Sequence, residues 1–274
     1  MNECSQIKTP PIQTKCDRCQ VNKAAICRVA DSALSRELNR ISHIRTFAAG
    51  RTVAVENEDA EFVGNVVSGA LRLLKTMPDG RQQIVGLLVP SDMFGRVFST
   101  TSRFTIEAAT AVTLCCFERK AFEAVLDRHR ELEREILKSS LEELDAARDW
   151  MLLLGRQNVL ERVASFLLIL NRPLRQHGCA TGPRIAESRI SVPISRRDMA
   201  TYLGTTVESI SRSIQYLARK GIIRIINAQL FELLYKERLI EISGHAEARW
   251  WDMPEPVAGD NRKKHALLRD EAAC

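Results

Sequence analysis

Two sets of residues in this chain carry chemistry that ordinary packing does not need. In KCDRCQVNKAAICRV, Cys16 and Cys19 are separated by two residues, and Cys27 follows after seven more. Three thiolates at that spacing can converge on one centre. A structural zinc site also uses CxxC, but it closes with a second CxxC or a His pair, whereas here Arg28 and Val29 follow Cys27 and the nearest His is His43. Three local thiolates plus a remote one suit an iron–sulfur cluster, where each iron of a cubane takes one Cys. Three unconnected thiols remain a competing reading, because CxxC is common. Far down the chain stand Glu208 and Arg212, four residues apart. In a major groove, Arg matches guanine O6/N7 and Glu accepts from cytosine N4; on an isolated helix the same pair is an ordinary surface ion pair.

The elements around Glu208 and Arg212 favour the groove. Apolar residues in SRRDMATYLGTTVESISRSIQYLARKGII fall at helical spacing in two runs broken at Gly204. Ser195 caps the first with Asp198 three residues on, and Met199, Ala200 and Leu203 form its inward stripe. Gly204 suits the left-handed residue that ends it. Thr206 caps the second run, in which Val207, Ile210, Ile214 and Leu217 recur at steps of three and four and share one buried face. Glu208, Ser209, Ser211, Arg212 and Gln215 then point outward. Beyond Gly221, alternating Ile223 and Ile225 and the run Leu230 to Leu233 around Asn227 predict a two-stranded wing. The unit reads as a winged helix-turn-helix, whose second helix lies in the major groove.

Upstream, the pattern from about His43 to Phe117 is one of short alternating runs separated by Gly, with Pro78-Asp79-Gly80 as a hairpin turn. It predicts a small antiparallel roll of jelly-roll type. Phe122 to Gly155 is the longest helical pattern. Within it Leu137, Leu141, Leu144, Arg148 and Met151 recur at four, three, four and three, like a short coiled-coil seam. A two-fold DNA site needs a two-fold protein, which favours a homodimer through Leu137, Leu141, Leu144 and Met151, with Arg148 the awkward member. Another helix from Arg156 to Asn171 opens the DNA-binding domain, and Pro173, Gly178, Gly182 and Pro183 mark an exposed loop. The expected class is α+β: an arm at 1–30, a β-roll at 31–120, a dimerisation helix at 121–155, a winged helix-turn-helix at 156–243 and a disordered tail at 244–274.

Composition narrows the function. At 274 residues, 45% hydrophobic and 27% charged, the chain has room for two globular cores. A net charge of +6 favours polyanionic partners without establishing one. No apolar run is long enough to span a bilayer, and the first residues lack a basic-then-apolar signal, so a cytoplasmic location is expected. Cys4, Cys116, Cys179 and Cys274 are scattered and read as packed, surface or tail thiols. The five His residues are dispersed, and neither a Gly-rich phosphate loop nor a nucleophile motif is present. An enzyme is not expected.

The run GTTVESISRSIQYLARKGII resembles the recognition helix of the CRP/FNR superfamily of bacterial transcription regulators, and Val-Glu-Ser-Ile-Ser-Arg is similar to its FNR branch. VVSGALRLLKTMPDGRQQIVGLLVPSDMFG resembles that superfamily's effector domain. The likeness implies that Glu208, Ser211 and Arg212, with Ser209 beside them, meet a half-site of a TTGAT-N4-ATCAA palindrome. An activator that works with RNA polymerase is expected. The likeness also implies an oxygen-sensing [4Fe–4S] cluster on Cys16, Cys19, Cys27 and one cysteine in TLCCF. Cys115 takes the family's place there, and Cys116 faces the other side of the strand by period two. Nucleotide-binding members carry Gly-Glu and then Arg-Ser or Arg-Thr before Ala. This chain has Gly95-Arg96 and Ser102-Arg103-Phe104, so the acid is missing and the basic residue is displaced.

Overall fold

The computed structural model describes residues 19, 21, 24–171 and 188–244. Most of the expected arm at 1–30, the loop around Pro173 to Pro183 and the tail beyond Gly244 lie outside them, as do Cys4, Cys16, Cys179 and Cys274.

The roll is built from β1 (Ser42–Phe47), β2 (Thr52–Ala54), β3 (Phe62–Ser68), β4 (Leu71–Thr76), β5 (Gln82–Leu88), β6 (Met93–Phe94), β7 (Thr105–Ala108) and β8 (Val112–Glu118). They pair antiparallel in two four-stranded sheets, ordered β1-β8-β3-β6 and β2-β7-β4-β5. The predicted turn closes β4 onto β5: the Met77 N–H donates to the Arg81 carbonyl at 2.8 Å, and Gly80 takes φ +83. Period-two alternation gives β8 two apolar faces. Val112, Leu114 and Cys116 fill the core between the sheets with Val66, Leu73, Ile106 and Phe94. Phe117 turns to a second core, outside the first sheet, with Ile26, Leu34, Leu38, Val63 and Phe122.

That second core requires helices that the sequence did not announce. A single 3₁₀ turn (Ile26–Val29) and α1 (Ser32–Ile41) precede the roll. Asp31 caps α1 by accepting from the Ala33 and Leu34 N–H groups at 2.9 and 2.8 Å. Leu34 and Leu38, four apart, bury its inner face. The end of the expected arm is therefore packed on the roll.

The expected continuous helix from Phe122 to Gly155 is two helices, α2 (Arg119–Leu126) and α3 (Arg130–Arg156), broken at residues 127–129. The break lets Phe122, Val125 and Leu126 face the second core while α3 leaves in a new direction, with Leu132 still buried there. The 27 residues of α3 give a rod of about 40 Å. Arg156 ends α3, so the next helix, α4 (Val159–Leu170), starts three residues later than expected. Asn158 and Glu161 form its capping box.

The reading unit comprises α5 (Arg196–Leu203), α6 (Val207–Arg219), α7 (Lys236–Ile242) and strands β9 (Arg189–Ser191), β10 (Ile223–Ile225) and β11 (Leu230–Leu233). The wing is three-stranded in the order β10-β11-β9 rather than two-stranded. β9 is only three residues long, with one buried side chain, Ile190, and so offers almost no alternation to read. Ile210, Ile214 and Leu217 enter the core with Met199, Leu203, Phe166 and Phe231. Val207 does not; at the first position of α6 it stays 38% exposed.

Candidate metal centre and nucleic-acid interface

Alternation on β8 separates its two adjacent cysteines. Cys116 is buried between the sheets, where desolvation pushes its thiol up to about 11, against a small downward pull from Arg45. Such a thiol stays protonated and inert at neutral pH. Cys115, half-buried, borders the second core on the opposite face. Cys27, in the 3₁₀ turn, borders that same core.

Asn65 of β3 lies between these two elements. In the β3–β8 register it lies opposite Cys115, so both side chains leave the sheet on one face. Its amide Nδ2 donates to Cys27 Sγ at 3.8 Å. The strands approach this closely because residue 64 is glycine: a Cβ there would stand 1.9 Å from the Cys115 carbonyl oxygen. Among the described residues no three Cys, His, Asp or Glu side chains gather as a metal site. Of the expected ligands, Cys27 and Cys115 share this face, Cys19 is half-buried upstream of it, and Cys16 lies outside the described residues. Two cysteines bordering one core, one of them with an amide donor on its sulfur, fit thiolate coordination of a soft metal or an iron–sulfur cluster.

The turn carrying Cys27 is tied to the rod. Arg28, the next residue, pairs with Glu135 of α3 at 2.5 Å. Glu37 of α1 accepts from Arg128 and lies 2.9 Å from His129 Nε2, at the α2–α3 break. The bonds from His129 and then Arg128 hold the Glu37 carboxyl below its usual range. Along α3, Leu137, Leu141, Leu144 and Met151 are 60%, 54%, 46% and 73% exposed, as is Leu152 at 59%, so the seam has no covering partner among the described residues. Arg148 stays at the surface, paired with Asp145 at 3.0 Å.

At the other end, local hydrogen bonds fix the reading helices. Ser195 and Asp198 form the expected capping box, and Gly204 ends α5 at φ +61. Thr206 caps α6 by accepting from the Ser209 N–H at 3.2 Å, and its hydroxyl donates to Ser209 Oγ at 3.1 Å. Ser209 is therefore half-buried and completes the cap, while Ser211 is half-buried farther along. Glu208 and Arg212 are exposed. Glu208 is held below the usual carboxylate range first by its own backbone N–H, then by the Thr206 hydroxyl, with the Arg212 charge adding to both. It is a hydrogen-bond acceptor at neutral pH.

Three connections that sequence reasoning missed mount this unit on the rest of the chain. The Arg162 guanidinium donates to the carbonyls of Leu154, Gln157 and Leu203 at 2.8, 2.9 and 2.9 Å, closing the ends of α3 and α5 together. Trp150 of α3 stacks on Tyr202 of α5, with ring centroids 4.2 Å apart. Arg72 of β4 bridges Glu107 of the roll at 2.8 Å and Asp198 of the capping box at 2.5 Å. The only sequence signal was an Arg or Trp at a position whose partners are far away.

This arrangement has known counterparts. Residues 44–129 match the cyclic nucleotide-binding domain family, and residues 161–242 match the Crp-like helix-turn-helix domain family. The transcriptional activator protein FnrL of Cereibacter sphaeroides is 37% identical over 242 residues, 86% of this chain and 95% of that protein. The chain belongs to the CRP/FNR family of transcription regulators. The nitrogen fixation regulation protein FixK of Bradyrhizobium diazoefficiens is 38% identical over 213 residues, 77% of this chain and 87% of that one. Among solved structures, FixK2 from Bradyrhizobium japonicum superposes with a TM-score of 0.66 at 31% identity, covering 74% of this chain and 97% of that chain. Like its CRP/FNR relatives, the chain is a DNA-binding regulator and not an enzyme. No helix among the described residues is long and apolar enough to cross a membrane.

Proposed function

We propose that this chain is an oxygen-responsive transcriptional activator that binds a palindromic promoter as a homodimer, in the cytoplasm, and works there with RNA polymerase. Cys16, Cys19, Cys27 and Cys115 are the residues that would hold its [4Fe–4S] cluster. The observation that carries this reading is the sharing of one face by Cys27 and Cys115 at Asn65, while Cys116 is turned into the core between the sheets. Likeness to FnrL, named a transcriptional activator, supports activation. A bound cluster supplies an oxygen-labile crosslink between the chain's beginning and β8.

The chain's own residues carry the consequence to DNA. Holding Cys27 against β3 and β8 holds the adjacent Arg28, and Arg28 holds Glu135 on α3. That fixes the direction of the rod and the presentation of Leu137, Leu141, Leu144 and Met151 to a second copy. Trp150 and Arg162 then pass the rod's position to α5, so paired rods set the separation of two α6 helices. Each α6 offers Glu208, Ser211 and Arg212 to base edges, with Ser209 securing its start. Switching requires only that one state of the sulfur centre favour the dimer by a few kcal/mol.

The test is an absorption spectrum with iron and sulfide counts on anaerobically purified protein, followed by promoter binding before and after air. The expected outcome is a visible band that bleaches in air as site-specific binding falls. A colourless, metal-poor preparation that binds the palindrome equally well with and without air would leave a regulator of this fold answering to another effector.

A further inference from the structure

Asn65 is the one residue among those described with a buried side-chain nitrogen or oxygen left unmatched. The residue is 2% exposed, and its Oδ1 has no hydrogen-bond partner among the described residues. A buried carbonyl oxygen left unpaired opposes folding, and an apolar side chain of similar volume would remove that penalty. Nothing in the sheet requires an amide here. Its neighbours on the same face, Val63 and Phe117, are fully buried hydrophobes, and the strand would pair through its backbone whatever the side chain. The other end of the amide is directed at Cys27: Nδ2 donates to its Sγ, and Cys115 stands opposite Asn65 in register.

We propose that Asn65 is a positioning residue for the sulfur centre, holding Cys27 beside Cys115 through its amide N–H and shielding the coordinated sulfur from oxidation. The physical basis is that an N–H donor withdraws electron density from a metal-bound thiolate, and such outer donors both orient the ligand and tune the cluster's potential. Asn65 also spans the three elements that must stay together. It sits on β3, faces β8 across the ladder and reaches the turn that leads through Arg28 to α3. This inference rests on the proposed cluster, and it adds a residue that donates no electron pair to the metal.

The test compares the full chain with Asn65→Leu and Asn65→Ser, all prepared anaerobically. Iron and sulfide per chain, the half-life of the visible band in air-saturated buffer and the unfolding temperature of the metal-free protein are measured. Asn65→Leu should unfold at the same or a higher temperature, because the unmatched oxygen is gone. Its band should nevertheless decay about tenfold faster in air. Asn65→Ser, which keeps a short donor, should fall between the two. A fall in the unfolding temperature of Asn65→Leu, with band lifetime unchanged, would make Asn65 a packing residue and overturn the inference while leaving the cluster in place. An iron-free parent protein would instead bring down the cluster reading and this inference together.

Discussion

In the reading unit, the residues proposed to meet DNA and the residues that hold them lie within one short stretch; at the proposed sulfur centre they come from three distant ones. Thr206, Ser209 and Glu208 cap and present α6 from within four positions of one another. Cys27 reaches Asn65 across 38 positions, and Asn65 meets Cys115 only because β3 and β8 share a ladder. Local order survives small displacements of the rest of the chain, because each cap closes within one turn of helix. A centre assembled from three elements depends on all of them at once. In the proposed sensor, one change at the sulfurs would alter the relation among the turn, the roll and the rod.

Breaking this contrast begins with its largest expected effect. Cys115→Ser should abolish iron retention in anaerobic preparations, while Cys116→Ala should keep it; equal iron contents would dissolve the distinction between the two faces of β8. Gly64→Ala comes next, since its Cβ would strike the Cys115 carbonyl, and a loss of about 1–3 kcal/mol is expected in urea unfolding.

Two further changes bear on the reading unit. Arg212→Ala should lower the preference for the palindrome over an unrelated duplex by about 1–3 kcal/mol without altering the absorption spectrum, and a changed spectrum would assign Arg212 a structural role. Thr206→Ala should cost about 1 kcal/mol of stability through the lost cap, with the iron content unaffected.

The last effect appears only at alkaline pH. The Cys116 thiol is raised by burial to about 11 in the folded chain, so the unfolded chain loses this proton first as pH rises. Its contribution to stability is complete below the ordinary thiol range and disappears between there and about 11. Urea midpoints at successive pH values should therefore decline more steeply above about pH 8.5 in the parent than in Cys116→Ala. Parallel curves would mean that the thiol reaches water.

By itself the sequence determined the reading helices, their caps, the turn at Gly204, the strand content of the roll and the opposite facing of Cys115 and Cys116. Each depends on a period or on a hydrogen bond closed within a few residues. The tertiary structure decided what period cannot. Alternation says which side of a strand a residue faces, but any register shift by two preserves that side, so nothing in β3 or β8 alone sets Asn65 opposite Cys115. The break at residues 127–129, the third wing strand, the bridge from Arg72 to Asp198 and the three carbonyls on Arg162 likewise arise where distant segments return to one another. Such meetings are selected by the free energy of the whole packed chain, and a local pattern carries no record of them.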